Sequence, residues 1–147
     1  VRAWRGGRDE AGTVAVLIIG FTVVIAMMVA VVVDASAAYL RRQNLSSLAD
    51  GAALAAADGI QGEQVYTTGL AERAVIDPRV AEALVAAHLG AVGAARTYPG
   101  LTYHVDTAED RVVVRVSAPL DLPLTLPGLG DGTRVSGTAA AVVVVSE

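Results

Sequence analysis

The side chains able to carry chemistry are few, and they do not converge. The chain has two histidines, His88 and His104, and no cysteine. His88 falls among Ala and Leu in a helical pattern and His104 inside an alternating one, so each reads as a structural or surface histidine. They form no H-x-x-x-H pair, and no thiolate is available to complete a zinc site. A Ser/His/Asp set can be assembled from any chain of this length, but no G-x-S-x-G elbow supports one here. Gly128-Leu129-Gly130-Asp131-Gly132 has the glycines of a phosphate cradle without the Lys or the following helix, and reads as a turn. Asp9-Glu10 and Glu109-Asp110 read as solvated pairs rather than acid–base dyads. The expectation is a non-enzyme, with no catalytic, cofactor-binding or metal-binding residues and no small-molecule substrate.

The composition points elsewhere. Of 147 residues, 54% are hydrophobic and only 18% charged, with a mean hydropathy of +0.54. Average soluble domains carry about 25% charged residues. All eleven basic residues are Arg, scattered along the chain, and the net charge is -4. That pattern marks no nucleic-acid groove. The absence of Cys excludes disulfides and fits any redox compartment.

The excess apolar content lies near the N-terminus. Gly12 to Val33 is a run of 22 residues without a charge. As a helix it covers about 33 Å, close to the thickness of a bilayer's hydrocarbon core. A single segment crossing lipid satisfies its backbone polar groups only as a helix. Thr22 can return its hydroxyl bond to the preceding turn, and Asp34 marks the exit into the interface. Arg2, Arg5 and Arg8 precede the run, and Arg41 and Arg42 follow it. This small excess predicts a cytoplasmic N-terminus and an extracytoplasmic C-terminal domain.

Beyond the run, residues 34–59 contain no Pro and are rich in Ala and Leu, strong helix formers. Leu45, Leu48, Ala52 and Ala55 recur at spacings of three and four. Ala49, Ala52, Ala53, Ala56 and Ala57 make a surface of small side chains. It suits either close packing inside the molecule or packing against like helices in an assembly. One helix is predicted from about Thr13 to Asp58, with Gly59 and Gly62 as its stop.

The order of these features resembles a known family. Gly12 precedes the apolar run and Asp34 closes it. Arg41-Arg42-Gln43-Asn44-Leu45 follows, then the tract from Ala49 and Asp50 to Ala57. This resembles the N-terminal region of TadE/TadG-type proteins of the Tad (tight adherence) pilus-assembly system. The resemblance covers about Gly12 to Gly59 and identifies Asp34, Arg41, Arg42, Gln43 and Asp50 as family-motif residues. It implies a membrane-anchored, pilin-like component of a Flp-type pilus or secretion apparatus, with other pilus-assembly proteins and membrane lipid as partners. It also implies a candidate processing site between Gly12 and Thr13. Processed members carry Glu at the fifth position after the cleaved Gly, where this chain has Leu17. That departure favours the TadG-like side, which is retained in the cytoplasmic (inner) membrane. The von Willebrand type A domain of larger relatives has no counterpart here, since no Asp-x-Ser-x-Ser site is present.

The remainder reads as a small α+β domain. Residues from Gly59 to Gly69 are polar and Gly-containing, a linker. Asp77 and Pro78 are the cap and first residue of a helix extending to near Arg96. After Gly100 the period becomes alternating. LTYHVD and RVVVRVS form a hairpin turning at residues 107–110, with Val112, Val114 and Val116 on one face. TRVSGTAAAVVVVSE is a final strand. Between them, Leu120, Leu122, Leu124 and Leu126 alternate with Asp121, Pro123, Thr125 and Pro127. The two prolines confine this stretch to an edge strand or a loop, and an exposed loop would make Leu122 and Leu124 partner-contact residues.

The predicted organisation is therefore a cytoplasmic segment at 1–12, a transmembrane helix at 13–33, an extracytoplasmic helical extension at 34–59 and an α+β domain at 60–147. The predicted role is structural: the anchor holds the chain in the bilayer, and the helix and head make lateral contacts. Gly20, Ala26 and Ala30 are available for helix packing within lipid. The alternative is a membrane-anchored extracytoplasmic binding module outside pilus assembly.

Overall fold

The computed structural model describes residues 9–67, 76–108, 110–121 and 132–143. One helix, α1 (Asp9–Thr67), runs from the apolar segment into the head. Its 59 residues span about 88 Å. Helices α2 (Pro78–Ala91) and α3 (Ala94–Thr97) follow, then strands β1 (Thr102–Ala108), β2 (Arg111–Pro119) and β3 (Arg134–Val142). The strands form one antiparallel sheet in the order β1-β2-β3. This is the α+β architecture anticipated: a long N-terminal helix entering a head with a second helix and a short sheet.

The helical end of the head folds by local rules. The Asp77 carboxylate accepts a hydrogen bond from the Arg79 amide at 2.8 Å, and Pro78 occupies the first turn, where its missing N–H costs nothing. The helix ends at Ala91, earlier than the predicted Arg96. Gly93 adopts φ 66°, a left-handed conformation that breaks the helix before the short turn of α3.

Helix α1 overruns its predicted stop by two turns, because Gly59 and Gly62 do not end it. A glycine ends a helix when its φ turns positive, and neither does so here. Gly59 is instead a contact point. A Cβ there would stand 2.8 Å from both methyl groups of Leu84, and one at Gly51 would stand 3.0 Å from His88 Nε2. Gly51, Ala55 and Gly59 recur every four residues, which makes a shallow groove along α1 for α2. Residues 60–67, read as linker, are helical.

The opposite flank of that groove meets the sheet. Leu45, Ala49, Ala52, Ala53, Ala56, Ala57 and Ile60 are buried against Val112, Val114, Val116, Ala118, Ala139 and Ala141. The alternation in β2 is complete, with Val112, Val114 and Val116 fully buried and Arg111 and Arg115 exposed. Pairing extends to Ala108↔Arg111, two residues further along β1 than the sequence pattern marked. Strand β3 approaches most closely at Gly137, where a Cβ would overlap the Leu45–Ser46 backbone. The other face of the sheet is polar, as antiparallel sheets permit, and Arg115 Nε donates to Thr138 Oγ1 across it at 3.4 Å.

Candidate membrane anchor and its junction with the head

The first part of α1 has no protein around it. Val14, Leu17, Phe21, Met28 and Val32 are among the exposed large apolar side chains, with Leu17 at 69% and Phe21 at 64%. The most apolar 18-residue window of this helix has a mean hydropathy of 3.1 and is 0% buried. It is the single candidate membrane span among the described residues. An apolar surface of this extent, without a polar face, needs lipid or other apolar helices around it. Hydroxyls in the span and just beyond it are turned back onto the helix. Thr22 Oγ1 donates to Ile18 O and Ser36 Oγ to Val32 O, each at 2.8 Å.

The span does not end in a hinge. It continues as the same helix through Asp34, Arg41 and Arg42 into the core of the head. Arg41 fixes the point of entry. Its guanidinium lies 4.6 Å from the centroid of the Tyr98 ring, Nη2 donates to Pro119 O at 3.2 Å, and Asp121 stands 3.9 Å away. The side chain is only 22% exposed. It thus joins three parts: α1, the turn after α3, and the end of β2. Planar guanidinium chemistry suits this place, since the plane stacks on the ring while an edge donates. Its Nε is buried without a hydrogen-bond partner among the described residues.

The other residues singled out from the sequence are dispersed. Asp34 is half-buried on α1, while Arg42, Gln43 and Asp50 are exposed. Gly12 and Thr13 lie in the first turns of α1, both exposed. Leu122 and Leu124 lie outside the described residues. The backbone closes the base of their segment, where Leu120 N donates to Thr133 O at 2.9 Å. His104 is exposed at 3.2 Å from Asp106 Oδ1, and His88 is half-buried beside Gly51. No group of three or more His, Asp or Glu side chains is arranged to hold a metal among the described residues.

The small side chains of α1 are used within the molecule. Ala49, Ala52, Ala53, Ala56 and Ala57 are covered by the head, so this surface is closed to like helices. The side of α1 left open carries Asp50, Leu54 and Asp58. Sequence reasoning missed the part of Tyr98, Pro119 and Asp121 in holding Arg41, and the contact role of Gly51, Gly59 and Gly137. The partners of Arg41 are remote in sequence and no local pattern marks them. A glycine amid strand residues such as Val135 and Thr138 did offer a signal of close backbone approach.

Comparison with protein families places part of the chain in a known one. Residues 12–59 match a family described as putative Flp pilus-assembly, TadE/G-like. The match covers the apolar span and the part of α1 packed in the head, a third of the chain, and it coincides with the stretch whose motif order carries the resemblance. Comparison with curated proteins and with solved structures finds no match.

Proposed function

We propose that this chain is a membrane-anchored structural component of a Tad/Flp-type pilus or related secretion apparatus, of the TadG-like kind that stays in the membrane. The supporting observation is the continuity of α1. An unburied apolar span and the helix at the core of the head are one rigid element, within the segment that matches the pilus-assembly family. The mechanism is mechanical. Residues 13–33 cross the cytoplasmic membrane, residues 1–12 stay in the cytoplasm, and α1 carries the head at a fixed height outside. Contacts with other assembly proteins fall to the open parts of the chain. Within lipid, Gly20, Ala26 and Ala30 permit close helix approach. Outside it, the exposed sheet face is available.

Leu17, in place of the Glu of processed members, favours an intact junction between Gly12 and Thr13. Intact mass and N-terminal sequencing of the protein from membranes and from sheared surface filaments test this. The expected result is a chain still joined across Gly12–Thr13, found in membranes and co-purifying with other Tad proteins. A filament-associated chain beginning at Thr13 makes it a processed pilin subunit. Membrane protein that brings down no pilus component favours the binding-module alternative.

A further inference from the structure

The base of the head has a notch whose cations are not paired with acids among the described residues. Ala38, Tyr39 and Arg42 of α1 form one wall, and Arg134, Val135 and Ser136 at the start of β3 form the other. It is an open cavity of about 490 Å³ with no acidic side chain among its described lining residues. Arg42 is exposed and has no carboxylate partner among the described residues. Arg134 is anchored through Nη2 on Gly100 O at 3.0 Å, Thr102 Oγ1 at 2.9 Å and Ser117 O at 3.2 Å. All three acceptors are neutral, and no carboxylate pairs with it among the described residues. Asp121, an acidic residue at this end of the sheet, stands 3.9 Å from Arg41. Asp34 lies two turns nearer the apolar run.

The height of the notch gives these charges a setting. This step rests on the reading that residues 13–33 cross a bilayer. By helical rise Tyr39 stands about 9 Å and Arg42 about 13 Å beyond Val33. The polar layer of a leaflet is about 5–7 Å deep. Helical side chains lean toward the N-terminus, which here is toward the bilayer. The long Arg42 side chain thus leans back toward the outer edge of that layer, with Tyr39 nearer to it.

We propose that this notch binds the phosphate of an anionic phospholipid headgroup, with Arg42 as the principal contact, Arg134 adding positive charge and the Tyr39 and Ser136 hydroxyls available as donors. The head is thereby held down on the outer leaflet and fixed in rotation about α1.

The test uses the full chain in nanodiscs of phosphatidylcholine containing phosphatidylglycerol at one part in five. Lipid that stays with the protein after detergent transfer is counted by native mass spectrometry. Carbonate extraction from vesicles is run in parallel. The expected result is enrichment of phosphatidylglycerol over its share in the disc. Arg42→Gln reduces the ratio of retained phosphatidylglycerol to phosphatidylcholine roughly fivefold, the factor for one basic side chain at an anionic surface. Arg111→Gln, at the far end of the sheet, leaves it unchanged. Because Arg134 also ties strand ends together, Arg134→Gln is read only where its circular dichroism matches the parent. Inorganic phosphate at millimolar concentration leaves the enrichment in place, as a headgroup held by its whole lipid requires. Displacement by phosphate overturns the lipid assignment in favour of a free-anion site. A chain that resists carbonate but retains both lipids in proportion overturns this proposal alone, as does enrichment that survives Arg42→Gln. A chain that carbonate extracts overturns the span reading and this proposal with it.

Discussion

Arg41 and Arg42 are adjacent and chemically identical, yet they do different things. Arg41 points into the head and lies over Tyr98; Arg42 points to solvent beside the notch. The sequence showed a basic pair after an apolar run, which is ordinary for a membrane exit. It did not show that one of the pair belongs to the fold, because Tyr98, Pro119 and Asp121 are about 60 to 80 positions away. Arg41→Ala removes a stacked cation and a charge-assisted hydrogen bond, a loss of about 1–3 kcal/mol. Arg41→Lys keeps the charge but not the plane, and loses part of that. Thermal melting of the full chain in detergent, followed by circular dichroism, checks the order wild type, Arg41→Lys, Arg41→Ala. Equal stability of all three removes Arg41 from the account of the junction.

At the scale of elements, the parts legible in the sequence were those with a local cause. A charge-free apolar run of bilayer length, the Asp77-Pro78 start of α2 and the alternation of Val112, Val114 and Val116 each depend on neighbours in the chain. The parts misread depend on remote contacts. Gly59 had the composition of a helix stop, but its lack of a side chain admits Leu84, and α1 runs on to Thr67. The Ala-rich tract was ambiguous between inner and outer packing because small side chains suit both, and only the position of β2 and β3 decides. Leu122 and Leu124 lie outside the described residues, so the reading of their segment rests on sequence.

Two glycines separate these causes experimentally. Gly137 touches the backbone of Leu45 and Ser46, which cannot move aside. Gly137→Ala therefore separates β3 from α1 and destabilises the head by roughly 3 kcal/mol, the upper range for an overpacked core. Gly62 is helical and has nothing near its Cβ position. Gly62→Ala stabilises α1 by about 0.5–1 kcal/mol. Denaturant melts of both variants in detergent read the opposite signs. A neutral Gly137→Ala is incompatible with the close seating of β3 on the helix.

At the scale of the whole molecule, one helix is both anchor and core. The Ala surface of this helix is covered by the head, while the candidate span has no protein around it. The arrangement leaves little freedom between bilayer and head, since a continuous helix has no flexible linker to bend. It suits a part that transmits position rather than one that transforms a substrate. The family match over residues 12–59 lies within this helix and ends before α2.

The proposed role requires that residues 13–33 cross the membrane and that the same helix carry the head outside. The chain has no cysteine, so single cysteines report without background. Cysteines placed one at a time at Arg8, Val24, Gln43 and Leu54 are exposed to a membrane-impermeant thiol reagent in intact spheroplasts, then after permeabilisation. The account predicts labelling of the Gln43 and Leu54 positions at once, of the Arg8 position only after permeabilisation, and of the Val24 position in neither case. Labelling at Val24 in intact spheroplasts, or protection of Gln43 and Leu54 until the membrane is opened, contradicts it.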